Sequence, residues 1–206
     1  MLDKPAPDSW TSLGMFPPRR DPTRVMDTTV VPWPLHRKRE SVINTDLLAY
    51  LLAAAVKWSG LPGMPVDQLP PIEMVSAAYI SSEVCPDSKE GCSNLVAIFD
   101  TEHYVILVRD TLDMEKAFDN SFLVHELVHV LQFRSRGPDI FKDCPTSMRT
   151  EAEAYKAQNA YLKREGQFAR FGEVLRFTTC AGRQDALLQR EIMLEPNSPA
   201  PGQTNN

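Results

Sequence analysis

The chain has 206 residues, 43% of them hydrophobic and 24% charged, with a formal net charge of −5. That suits one globular domain with an ordinary core, with or without tails. An acidic balance argues against nucleic-acid binding: the densest basic stretch, HRKRE at His36 to Glu40, reads as a solvated loop before a helix. A membrane span is not expected either, because the most apolar run, LLAYLLAAAV from Leu47 to Val56, falls short of the about 20 residues needed.

Residues 1–40 carry KPAP, FPP, DP and PWP and read as a proline-rich N-terminal tail. MLDKPAPDSW lacks the charged start and apolar run of a signal peptide, so a cytoplasmic location is expected if the chain begins there. The domain is expected over residues 41–194. SVINTDLLAYLLAAAVKWSG predicts a helix, with Ser41 as a capping candidate and Gly60 and Pro62 as stop signals. A short strand is predicted at Ile72 to Val75, and AAYISSEVC reads as a short helix. LVAIFD and YVILVRD, separated by a polar turn around Thr101 to His103, predict a β-hairpin. Asp119, Asn120 or Ser121 is placed to cap the next helix, which should stop near Gly137-Pro138. A second long helix is predicted from Ser147 to Glu165, with further helical pattern over Gln167 to Phe177 and Arg183 to Met193. Residues 195–206, EPNSPAPGQTNN, read as a disordered C-terminal tail. The order helix, strand, hairpin, helix, helix gives an α+β fold, with helices packed on one face of a small sheet.

Cysteine usage points away from the cytoplasm. Cys85, Cys92, Cys144 and Cys180 are even in number, and none shows the C-x-x-C spacing of a thiolate metal site. A disulfide between Cys85 and Cys92 can close the polar loop PDSKEG, while Cys144 and Cys180 flank the second long helix. Sequence leaves the connectivity open. Disulfides imply an oxidising compartment, periplasmic or extracellular; unpaired thiols imply a cytosolic one.

The segment NSFLVHELVHVLQ, Asn120 to Gln132, holds two of the chain's four histidines. His125 and His129 are spaced to share one face of a helix, where two imidazoles can bind one Zn²⁺ ion. Glu126 follows the first histidine and so points about 100° away around the helix. From there it can reach a water acidified by zinc without being a ligand itself, and can move that water's proton. The apolar residues on every side of this helix predict that it is buried, so its polar groups need partners.

A catalytic zinc site needs a third protein ligand and an open position. His36 lies in the proline-rich tail and His103 in the expected turn. The metzincin spacing requires Gly at 132 and His at 135, where this chain has Gln132 and Ser135. A carboxylate remains, and RTEAEAYKAQNAYL offers Glu151 or Glu153. Glu151 shares a helix face with Ala154, Tyr155, Gln158 and Leu162; Glu153 shares one with Lys156, Ala157 and Ala160. Only one of the two can face the metal, and spacing alone leaves the choice open.

HELVH followed by a helical E-x-x-A resembles the gluzincin metallopeptidases. The chain is also similar to small bacterial zincin-like families with H-E-L-x-H-x-x-Q and a downstream E-A-E-A-Y helix, a shape that Gln132 fits. The resemblance covers about 60 residues, from the hairpin to the second helix. It implies a zincin-like fold and makes Glu151, which is followed by Ala154, the third zinc ligand; Glu153 is followed at that position by Lys156. Many gluzincins place an aspartate four residues after the ligand glutamate to orient the first histidine, and this chain has Tyr155 there. Tyr155, Asn120 or a backbone carbonyl is then left to orient His125, unless Tyr155 stabilises an oxyanion or only packs. The resemblance also implies an extended peptide paired with an edge strand, either residues 104–108 or their hairpin partner.

The expected function is therefore a zinc-dependent peptidase acting on a peptide or protein, with His125, His129 and Glu151 holding the metal and Glu126 as general base. The alternative is a zinc-binding regulatory or interaction protein on the same fold, with little or no turnover. A purely structural site has no use for Glu126.

Overall fold

The structure is a computed structural model that describes residues 43–84 and 94–180. Both tails, His36, the Ser41 cap, the Cys85–Cys92 loop and the helix expected at Arg183 to Met193 lie outside the described residues.

Helix α1 (Thr45–Ser59) is capped by Asn44, whose side chain accepts from the Asp46 N–H at 2.8 Å. It ends at Gly60, where a φ of 72° lets the cap N–H reach Val56 O. After two prolines, β1 (Ile72–Val75) forms where predicted, followed by α2 (Ala77–Val84). The hairpin forms from β2 (Ala97–Asp100) and β3 (Val105–Arg109), which pair antiparallel. Strand β1 then pairs parallel with the other side of β3, giving the order β1-β3-β2. The sheet therefore has β3 at its centre and β2 as an edge. Ile106, Leu107 and Val108 are buried in succession, so the central strand is covered on both faces. The coarse class is α+β, as predicted.

Helix α3 (Ala117–Arg136) carries the HELVH segment and starts earlier than expected. None of the three proposed caps acts at its N-terminus. Lys116 occupies that position without a capping side chain, and the Asp119 carboxylate accepts instead from the Asp113 N–H at 2.8 Å. Every residue from Asn120 to Gln132 is buried, in keeping with an apolar pattern on all sides. Helix α4 (Cys144–Arg164) begins three residues before the predicted start. Asp143 caps it by accepting from the Thr146 N–H at 2.8 Å, and Pro145 sits in its first turn, where no N–H is missed. Helices α1, α3 and α4 pack on one another, and α3 also lies against β2.

The helical pattern over 167–177 gives only a short 3-10 turn, Glu173–Arg176. Gly166 and Gly172 take φ values of 71° and 77°, outside the right-handed helical region. Asn159 pins this segment to α4: it accepts from the Phe171 N–H and donates to Phe171 O, both at 2.9 Å. Phe171 then packs on Phe118 and Phe122 of α3. Among the described cysteines, a disulfide joins Cys144 at the start of α4 to Cys180. No described helix is long and apolar enough to cross a membrane.

Candidate metal centre

The α3–α4 contact brings three of the predicted residues to one point. His125 Nε2 lies 2.9 Å from His129 Nε2 and 3.1 Å from Glu151 Oε2, and His129 Nε2 lies 3.4 Å from Glu151 Oε1. All three side chains are buried, and they are the one group among the described residues whose donor atoms could hold a metal ion. His125 and His129 meet because they are one turn apart on α3, and Glu151 because it lies on the buried face of α4.

Glutamines set the far side of both rings. His129 Nδ1 is 2.8 Å from Gln132 Oε1, and His125 Nδ1 is 3.0 Å from Gln158 Oε1. Gln132 cannot be turned round, since its Nε2 donates to Thr150 O at 2.9 Å and to Glu153 Oε2 at 3.1 Å. Gln158 Nε2 donates in turn to Ser121 Oγ at 3.2 Å. With their Nδ1 atoms donating, neutral histidines present only Nε2 lone pairs to each other and to the Glu151 carboxylate. Lone pairs that close repel unless a positive charge sits among them, so the donor set fits a metal cation. In the metal-free protein a proton serves instead. Burial opposes a charged His129, but the Glu151 carboxylate prevails and lifts it to about 9. Burial likewise works against charge on Glu151, yet the charge on His129 outweighs it and holds the carboxyl at about 2.

Glu126 stands beside this group. One oxygen, Oε2, accepts from the Phe99 N–H of β2 at 2.7 Å, while Oε1 is buried without a hydrogen-bond partner. Burial raises its pKa, against the pull of the neighbouring histidines.

The orienting partner of His125 is Gln158, not Tyr155, Asn120 or a backbone carbonyl. The available signal was its position on the same α4 face as Glu151. Tyr155 packs its ring against His125, with centroids 4.5 Å apart. Glu153 is half-exposed and pairs with Arg136 at 2.7 Å. His103 sits in the hairpin turn, 2.6 Å from the Asp100 carboxylate, and is not a member of the metal group. Strand β3, residues 105–109, is interior, which leaves its hairpin partner β2 as the edge beside Glu126.

The molecule is thus an α+β domain built around a buried two-histidine, one-carboxylate centre. It belongs to the family described as Domain of unknown function (DUF6647), whose model matches residues 46–185 and so takes in every element described above apart from the first residue of α1. No curated protein and no solved structure matches the chain.

Proposed function

We propose that this protein is a zinc-dependent peptidase of gluzincin type on a zincin-like fold. The observation that carries the reading is the convergence of His125, His129 and Glu151 beside a buried carboxylate oxygen, Glu126 Oε1, that has no partner. An orphaned acceptor that deep is costly to keep for stability alone. Two imidazoles and one carboxylate form a donor set suited to catalytic zinc. When bound, the metal supplies Lewis acidity, bringing the pKa of a water it polarises to about 7.

The rest belongs to the chain's own side chains. His125 and His129 turn Nε2 inward because Gln158 and Gln132 hold their Nδ1 atoms. The Phe99 N–H tethers Glu126 Oε2, so Oε1 is the atom left to accept a proton from attacking water and return it to the leaving amine. Burial makes Glu126 a stronger base than an exposed glutamate. Strand β2 is the edge that would pair with an extended peptide, through backbone groups other than the Phe99 N–H, which Glu126 already holds. The Cys144–Cys180 disulfide favours an oxidising compartment.

A second reading, a zinc-binding regulatory protein with little turnover, draws on the closeness of the centre: the His125, His129 and Glu151 side chains are 0%, 4% and 8% exposed. Two measurements decide. Metal analysis of the purified chain should give about one zinc per molecule. Hydrolysis of a proteome-derived peptide library should then fall about 10²–10⁴-fold in Glu126→Gln. Zinc without Glu126-dependent cleavage selects the second reading, and absence of zinc removes both.

A further inference from the structure

Gln132 touches more of the centre than a partner for one histidine needs to. Its Oε1 lies 2.8 Å from His129 Nδ1, and its Nε2 donates to Thr150 O at 2.9 Å, the carbonyl immediately before Glu151. The same Nε2 is 3.1 Å from Glu153 Oε2, which Arg136, one turn along α3 from Gln132, engages at 2.7 Å. A single side chain on α3 is therefore bonded to one candidate ligand and to the backbone beside another on α4. We propose that Gln132 is the positioning residue of the centre. It locks His129 in its Nδ1–H form and fixes the register of α4 against α3, while Glu153 and Arg136 hold its amide in the one orientation that allows this.

The chemistry requires an amide. A carboxylate at position 132 could still accept from His129, but its other oxygen would face two acceptors, the Thr150 carbonyl and the Glu153 carboxylate. A flipped amide would meet the same conflict and would also turn an N–H toward His129 Nδ1. Glu153, which spacing alone left as a rival ligand, thereby acquires a different role: it is an acceptor for the Gln132 amide, held by Arg136.

The inference rests on the reading of His125, His129 and Glu151 as a zinc site, and its test reads zinc affinity, not turnover. Zinc binding to the full chain is measured by competition with a chromophoric chelator. Gln132→Glu should bind zinc about 10–100-fold more weakly than the wild type, the range typical when an outer partner of a metal-bound histidine is lost. Adding Glu153→Gln to that variant should restore at least about fivefold, because an amide at position 153 could donate where the Glu153 carboxylate only accepts. Gln132→Met, which keeps the volume and removes the polar groups, should lose about tenfold or more and carries the test if Gln132→Glu does not fold. In the zinc-loaded wild type, imidazole nitrogen shifts should show Nδ1 of His129 protonated and Nε2 bound. Zinc affinity in Gln132→Glu or Gln132→Met within twofold of wild type, or no recovery in the double variant, overturns the proposal. A wild type that binds no zinc removes the proposal and the peptidase reading together. Zinc binding with cleavage unaffected by Glu126→Gln removes the peptidase reading alone.

Discussion

Phe99 on the edge strand donates its backbone N–H to Glu126 Oε2 at 2.7 Å and leaves Oε1 buried and unpartnered. Edge strand β2 and the proposed base are thus one mechanical unit. Replacing Glu126 with Gln keeps an acceptor for Phe99 but removes the base. Hydrolysis should fall about 10²–10⁴-fold with zinc content unchanged. Burial raises the Glu126 pKa above its ordinary 4.5, so its charged form destabilises the fold at neutral pH. Metal-free Glu126→Gln should therefore melt higher than wild type at pH 7, and the gap should close as pH falls toward 4.5. An equal or lower melting temperature at pH 7 would contradict this.

Glu151 and Glu153 should separate cleanly in metal content. Glu151 faces both histidines, whereas Glu153 reaches the centre only through Gln132. Glu151→Ala should weaken zinc binding by more than about 100-fold, and Glu153→Ala by about tenfold or less. Chelator competition on both variants checks the order, and similar losses would undo the ligand assignment.

The metal-free centre predicts a pH optimum of stability. His129, raised from 6.5 to about 9, contributes stability fully below 6.5 and loses it as pH rises through about 9. Glu151, lowered from 4.5 to about 2, contributes fully above 4.5 and loses it as pH falls through about 2. Both contributions are complete between pH 4.5 and 6.5, and the cost of charging Glu126 grows from pH 4.5 upward, so the chelated protein should be most stable toward the acidic end of that range. Zinc must displace the His129 proton, so its apparent affinity should climb about tenfold per pH unit between pH 7 and 8.5, with about one proton released. A flat affinity over that range would show that His129 is already neutral.

Closing a disulfide across 36 residues constrains the unfolded chain. Replacing Cys144 and Cys180 with Ser should cost about 2–4 kcal/mol, seen as a lower denaturant midpoint. Equal midpoints would mean that the bond adds nothing to the fold.

Gly172 has a φ of 77°, and a Cβ there would lie 2.5 Å from Tyr155 Cγ, behind the ring that packs on His125. Gly172→Ala should destabilise by about 2–4 kcal/mol through overpacking and backbone strain. Thermal unfolding measures it, and a neutral substitution would mean that the 172 segment does not press on Tyr155.

What the sequence determined by itself was local. Strand β1, the hairpin and the ends of α1 and α3 at Gly60 and Gly137 follow from runs, turns and caps within a few residues. His125 and His129 share a face because helical periodicity puts residues one turn apart together. The same periodicity placed Glu151 and Gln158 on one face of α4, but nothing along the chain says which residue of α3 that face will meet. Local signals also misled: the 167–177 pattern was helical by composition, yet Gly172 and its packing on Tyr155 stopped it. Only the tertiary structure decided the contacts between distant segments. It set β1 parallel beside β3, making β2 the edge, and joined Phe99 to Glu126 across 27 residues. It also brought Gln158 to His125 across 33 residues and Gln132 to the carbonyl before Glu151 across 18. The physical reason is that periodicity fixes which side of an element faces inward, whereas the register between elements is set by side-chain packing and by buried polar groups that must all find partners at once.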